Sequence, residues 1–146
     1  MNIRQKLVDP SKYDIKCPYK MTPTRIVVHN TYNDASANNE VSYMISNNNY
    51  TSFHFAVDDK EVVQGLPLDR NGWHAGDGNG KGNREGIAIE ICYSKSGGER
   101  FLQAEKNEEA PLMGASFLRL YRGRVLFAKA LHQMRFTAFS ASRRAR

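Results

Sequence analysis

The sequence predicts a mixed α/β domain, a central β-sheet flanked by helices. Three observations carry this prediction. RIVVH (25–29) and GIAIEICY (86–93) are built of β-branched and apolar residues, which favour the pleated state. Between them, Val41, Met44 and Ile45 recur at the i, i+3, i+4 spacing of a helix face. The resulting order, β-α-β-β-loop-β-α, is that of a sheet with helices packed against it.

Taken in order, residues 1–23 read as an irregular, turn-rich lead-in broken by Pro10, Pro18 and Pro23. RIVVH is the first strand. A short helix over roughly 38–47 follows, with Ser36, Asn38 or Asn39 as cap and the Asn47–Asn49 run as its end. SFHFAVDDKEVVQGLP (52–67) reads as a β-hairpin: Phe53, Phe55 and Val57 alternate with His54 and Ala56, the chain turns at Asp58–Lys60, and Val62–Val63 return. DRNGWHAGDGNGKGNREG (69–86) holds six of the eleven glycines and reads as one long loop, of a length usually functional or disordered. GIAIEICY is apolar on both faces apart from Glu90, as in a strand buried on both sides. SKSGGE is a turn. A helix is expected to begin near Phe101 and to be checked by Pro111, with a second over 115–134.

A chain of 146 residues fits one domain with a real core. No apolar run approaches the roughly 18 residues needed to cross a bilayer, so no membrane insertion is expected. The N-terminus carries charge but no apolar core, so it does not read as a secretory signal peptide and the chain is expected to be made in a cytoplasm. Two cysteines, Cys17 and Cys92, are too few for a disulfide framework and suit a reduced environment.

The net charge of +6 is unevenly spread. Residues 1–110 hold 13 Lys and Arg against all 15 acidic residues, a net of −2, whereas 111–146 hold eight basic residues and no acid, a net of +8. Asparagine occurs twelve times before residue 111 and not at all after it. This break divides the chain into a body, 1–110, and a divergent basic segment, 111–146: either an appendage or a C-terminus that is truncated or read in another frame. The basic pI therefore says little about the body. A nucleic-acid binder would rest on the tail alone, since the body lacks interleaved basic and aromatic residues, and no nucleic-acid partner is expected.

Four histidines, His29, His54, His74 and His132, are the candidate metal or proton-transfer residues. Singly, each reads best as structural; three of them fall at strand ends or in the glycine-rich loop. Glu90 is the most anomalous residue. A carboxylate within I-A-I-E-I-C costs several kcal/mol if charged and unpaired. It is either half of a buried ion pair with Arg25 or Arg84, or a general base whose pKa burial raises. Cys92 shares its face and reads as a small core residue. Trp73 and His74 give the loop an aromatic face and polar groups suited to carbohydrate or peptide, with a solvated loop as the alternative. The glycines match neither a dinucleotide fingerprint nor a P-loop, and no HExxH, CxxC or GxSxG occurs.

Together RIVVHNT, TSFHFAVDDKEVVQGLP and NGWHAGDGNGKGNREGIAIEICYSKSGG resemble the type 2 N-acetylmuramoyl-L-alanine amidases, in the phage and prophage endolysin branch found in Bacillus and Clostridium. The resemblance covers about residues 3–107 in unbroken order. It implies a fold similar to phage T7 lysozyme and the peptidoglycan recognition proteins, and a Zn²⁺-dependent hydrolase of bacterial peptidoglycan. The bond cut would be the amide between N-acetylmuramic acid and L-alanine. By the same resemblance His29 matches the first zinc ligand and Glu90 the catalytic glutamate. His54 and His74 match positions near the cleft, in substrate binding or structural support, with Trp73 and Asn30 beside them. An enzyme of this type would wait in the cytoplasm until lysis or holin-type export brings it to the wall. The family's late block, similar to H-Q-x-W-S-G-K-x-C-P, is altered here: His132-Gln133 match the leading pair, but Ser140 stands where the cysteine ligand would be and no proline follows. A hydroxyl is a poor zinc ligand beside a thiolate. The alternative is therefore an inactive or truncated relative that binds peptidoglycan without metal catalysis.

Overall fold

The computed structural model describes residues 3–108. The elements are β1 (Ile3–Gln5), a 3-10 turn (Pro10–Lys12), α1 (Tyr13–Lys16), β2 (Arg25–Asn30), α2 (Ala37–Ser46), β3 (Phe55–Val57), β4 (Val62–Gln64), α3 (Lys81–Glu85), β5 (Gly86–Ile91) and α4 (Gly98–Asn107). The check expected at Pro111 and the helix expected over 115–134 lie outside the described residues.

The five strands form one mixed sheet in the order β1-β4-β3-β5-β2. β3 and β4 are the antiparallel hairpin, while β1 runs parallel to β4, and β5 runs parallel to both β3 and β2. The last strand in the chain thus enters between two earlier ones, which explains its apolar character: it is covered on both faces.

Strand alternation sorts the side chains into two layers. Ile26 and Val28 of β2, Phe55 and Val57 of β3, and Ile87, Ile89 and Ile91 of β5 pack with Ala104 of α4. Ala56, Val63, Ala88 and Cys92 face Ala37, Val41 and Met44 of α2 on the other side, with Val8 and Cys17 of the lead-in. Both cysteines are buried free thiols.

α2 spans ten residues because both of its ends are satisfied. Ser36 accepts from Asn39 N–H as N-cap, and the Asn47 main-chain N–H bonds to Tyr43. Asp58, in the hairpin turn, accepts from Lys60 and Glu61 N–H on one oxygen and from Ala37 N–H on the other. One buried carboxylate therefore shapes the turn and fixes the start of the helix.

The structure departs from the sequence reading in three places. The lead-in is not wholly irregular: Ile3–Gln5 form β1 by pairing with Val62–Gln64, a partner some sixty positions away that no local pattern could announce. The glycine-rich stretch is not all loop, since Lys81–Glu85 form α3. Its start is held by the Asp77 carboxylate, which accepts from Gly82 and Asn83 N–H at 2.8 and 3.2 Å. Gly82 is there for closeness: a Cβ would come within 2.6 Å of the Ala75 Cβ. α4 begins at Gly98, before Phe101, after a turn in which Gly97 has φ 65°.

Candidate active site

His29 and Glu90 are register partners on the parallel strands β2 and β5. Adjacent strands lie about 4.8 Å apart, and equivalent residues of parallel strands point to the same face. His29 and Glu90 therefore stand side by side near the carboxyl ends of their strands, on the α2 face. That end of an open α/β sheet is where such folds place their ligands. Ala56 of β3 continues the row on the other side of Glu90 and is fully buried in the core beneath α2.

The rim is rigid. Tyr32 and Tyr93, just beyond β2 and β5, both have left-handed backbone conformations (φ 55° and 63°), disfavoured for large side chains. Such strain persists only where surroundings hold it. Tyr32 N–H donates to Ser94 Oγ at 2.5 Å, and Asp34 accepts both from the Ser96 N–H and from its hydroxyl. The Arg100 guanidinium lies 3.6 Å over the Tyr93 ring.

Glu90 meets neither arginine proposed as its partner. Arg25 reaches Glu85, and Arg84 lies over Tyr19 and reaches Asn79. No hydrogen bond or ion pair to the Glu90 carboxylate occurs among the described residues. Burial pushes its pKa up to about 8, and the Glu40 carboxylate of α2 adds like-charge repulsion.

His74 lies directly behind His29: the nitrogens His29 Nε2 and His74 Nδ1 are 3.2 Å apart, with the rings at 70°. Burial, then the neighbouring His54 and His29, push the His74 pKa down to about 3. Asn83 holds this segment by accepting from both His74 and Ala75 N–H, at 2.7 and 2.8 Å.

His54 stands 6.4 Å from His74, ring centre to ring centre, and is fully buried. Its Nδ1 accepts from Ala88 N–H at 3.0 Å and its Nε2 donates to the Arg70 carbonyl at 2.9 Å. These bonds tie β5 to the loop and settle the tautomer. Burial lowers its pKa to about 4.

The structure thus gathers His29, Glu90, His74 and His54. Trp73 lies edge-on to Tyr19 at 6.1 Å, its indole N–H buried without a hydrogen bond among the described residues. Asn30 is exposed and, by alternation, shares the face of Ile26 and Val28, opposite His29. His132 lies outside the described residues. Two residues were missed by sequence reasoning: Glu40, which no local pattern relates to Glu90, and Asn83, whose only signal was its place in the glycine-rich stretch.

Among the described residues no group of three His, Cys, Asp or Glu side chains could hold a metal ion. His29 is an imidazole beside a carboxylate, a residue type that fits one corner of a zinc site.

Fold and site define an α/β domain with a histidine–carboxylate centre at the carboxyl ends of parallel strands. The chain belongs to the N-acetylmuramoyl-L-alanine amidase family, whose pattern matches residues 19–120. It is 62% identical over 104 residues to N-acetylmuramoyl-L-alanine amidase XlyB of Bacillus subtilis (strain 168), covering 70% of this chain and 33% of that protein. It is 60% identical over 107 residues to amidase CwlA of the same strain, covering 73% of this chain and 39% of that one. The chain therefore spans well under half of these curated relatives. Its fold superposes on the structure of PlyL with a TM-score of 0.83 and 52% identity, over 96% of this chain and 91% of that one.

Proposed function

We propose that the chain is the catalytic part of a peptidoglycan amidase that hydrolyses the bond between N-acetylmuramic acid and L-alanine. One observation carries the reading: His29 and Glu90 stand in register on one face, at the carboxyl ends of parallel strands. The amidases XlyB and CwlA support the substrate class.

In this reading His29 is a zinc ligand, and the further ligands come from beyond residue 108, His132 among them. Bound zinc supplies Lewis-acid polarisation of the scissile carbonyl and lets water act as a nucleophile near neutral pH. Glu90 takes a proton from the attacking water and returns it to the departing L-alanine nitrogen. A carboxyl group whose pKa lies near the working pH suits a residue that must both accept and release a proton. His54 keeps β5 and the 70–74 loop in place rather than touching substrate, since both its ring nitrogens are engaged by main chain. Trp73 lines the approach of glycan or stem peptide, whereas Asn30, on the opposite face of β2 from His29, does not. Residues 1–110 form the amidase domain and 111–146 its altered end.

The test is digestion of purified Bacillus cell walls, following newly exposed L-alanine amino groups and reducing sugar ends together. Amino groups without reducing ends identify an amidase; reducing ends would identify a glycosidase and end this proposal. A second reading is favoured by Ser140, which stands where the family has a cysteine ligand. Under it the chain binds insoluble peptidoglycan, takes up no zinc and releases no amino groups.

A further inference from the structure

We propose that Ser52 is a positioning residue for Trp73: its buried hydroxyl fixes the main chain that carries the indole to the wall of the site, and Lys16 anchors that hydroxyl. This role rests on the amidase reading above, under which Trp73 lines the approach of substrate. It falls to two buried polar residues that the reaction itself leaves unused.

Ser52 and Trp73 form an isolated antiparallel bridge between the entry to β3 and the glycine-rich stretch. In an ordinary antiparallel pair two facing residues exchange two main-chain bonds. Here the Ser52 N–H donates to the Trp73 carbonyl at 3.0 Å, while the Trp73 N–H is taken by the Ser52 hydroxyl at 2.9 Å. The same hydroxyl donates its own proton to the Lys16 carbonyl at 2.6 Å. Chemistry fixes both directions, because a main-chain N–H only donates and a carbonyl only accepts. Ser52 is fully buried, so a lost hydroxyl leaves a donor on Trp73 and an acceptor on Lys16 unsatisfied together.

Lys16 holds the far end of this link still. It too is fully buried, and its ammonium donates to Asn47 Oδ1 at 2.9 Å, to the Thr51 carbonyl at 3.2 Å and to the Asn49 carbonyl. All three ammonium donors are thereby used. A buried charge is tolerated when it is hydrogen-bonded in this way. Residues 47–51 are wrapped around one cation, and the next residue is Ser52. On its other side Trp73 meets the edge of the Tyr19 ring at 6.1 Å, and Tyr19 is itself held by Asn71, whose Oδ1 accepts the Tyr19 N–H. Trp73 leads directly into His74, which lies 3.2 Å from His29. The indole is thus set beside the site by the loop behind it.

Trp73 is the only tryptophan of the chain, so its fluorescence reports on this wall alone. The probe is N-acetylmuramoyl-L-alanyl-D-isoglutamine, titrated in a Glu90→Gln background so that it is bound rather than cut. Adding Ser52→Ala is expected to weaken binding about 3- to 10-fold, the worth of one buried hydrogen bond. Hydrogen exchange at the Trp73 amide should quicken, while the Ala88 amide, held by His54, keeps its protection. Ser52→Cys, of similar size but weak in hydrogen bonding, should behave as Ser52→Ala does. Ser52→Thr retains the hydroxyl and should keep most of the affinity. With Glu90 intact, Ser52→Ala should raise KM for the same compound and leave kcat within about twofold. Unchanged affinity in Ser52→Ala and Ser52→Cys overturns the proposal, as does a Trp73 amide that stays protected in them. So do a fall in kcat at constant KM, a Ser52→Thr chain as weak as Ser52→Ala, and a probe that leaves the Trp73 fluorescence unchanged. A wild-type chain that binds the probe but releases no L-alanine amino groups sinks the amidase reading alone, and the Ser52 variants still decide this one.

Discussion

Glu90 and His54 are two residues whose burial changes their chemistry. Glu90→Gln keeps the shape of the side chain and removes its ability to take a proton. Wall-digestion rates are expected to fall by about 10²- to 10⁴-fold, the usual contribution of a general base. Thermal stability should hold or rise, because a half-buried carboxyl has been replaced by an uncharged amide; an undiminished rate would remove Glu90 from the mechanism. His54 makes a separate prediction in pH. Its pKa is about 4 in the fold against 6.5 as the reference, so on acidification the unfolded chain takes up the proton first. Stability attached to this group is whole above about pH 6.5 and is lost as pH falls toward 4, by up to about 3 kcal/mol. Urea midpoints at pH 7 and pH 4.5 measure it. In His54→Asn the slope between those values should drop by about one proton, and an unchanged slope would contradict the account.

At the scale of elements, the joints matter more than the elements themselves. Asp58 ties the β3–β4 turn to the start of α2 through three main-chain N–H groups, and it is 2% exposed. Asp58→Ala leaves those donors unsatisfied and should cost about 3 kcal/mol, seen as a lower urea midpoint; a shift under a few tenths of a kcal/mol would show that water replaces the carboxylate. Gly86, between α3 and β5, is as tightly placed. A Cβ there would lie 2.2 Å from the Gly82 carbonyl oxygen and 3.0 Å from Val27. Because the first obstacle is backbone, Gly86→Ala should displace α3 and cost on the order of 1–3 kcal/mol. It should also disturb the Asn83 clamp, visible as altered amide signals at His74 and Ala75.

For the whole molecule, the sheet order decides where chemistry can occur. β5 brings Glu90 into line with His29 and Ala56, and the connections after β2 and β5 form the rim. Under the amidase proposal residues 3–108 supply only His29 to the zinc, so zinc uptake becomes a test of the residues that follow. If the late block takes part, His132→Ala should weaken zinc binding and Ser140→Cys should strengthen it, because thiolate is the better ligand. Equilibrium dialysis of the three 146-residue chains measures both. Equal zinc content in all three would place the remaining ligands elsewhere.

RIVVH, the 37–46 helix, the hairpin and GIAIEI were legible because each is written in local periodicity and composition, the properties that the first level of folding uses. Glu90 stood out for the same reason, as a charge that breaks an apolar run. β1, α3 and the neighbours of Glu90 were not legible. Ile3–Gln5 become a strand only through hydrogen bonds to Val62–Gln64, and Lys81–Glu85 a helix only because Asp77 receives its first N–H groups. Likewise, the sequence by itself determined which residues carry acid, base and imidazole chemistry and which segments pleat or coil. Only the tertiary structure decided that β5 lies between β3 and β2, that His54 faces main chain while His74 faces His29, and that Asn30 points away. Those are matters of pairing order and of distance across the chain, and neither is encoded in the spacing of adjacent residues.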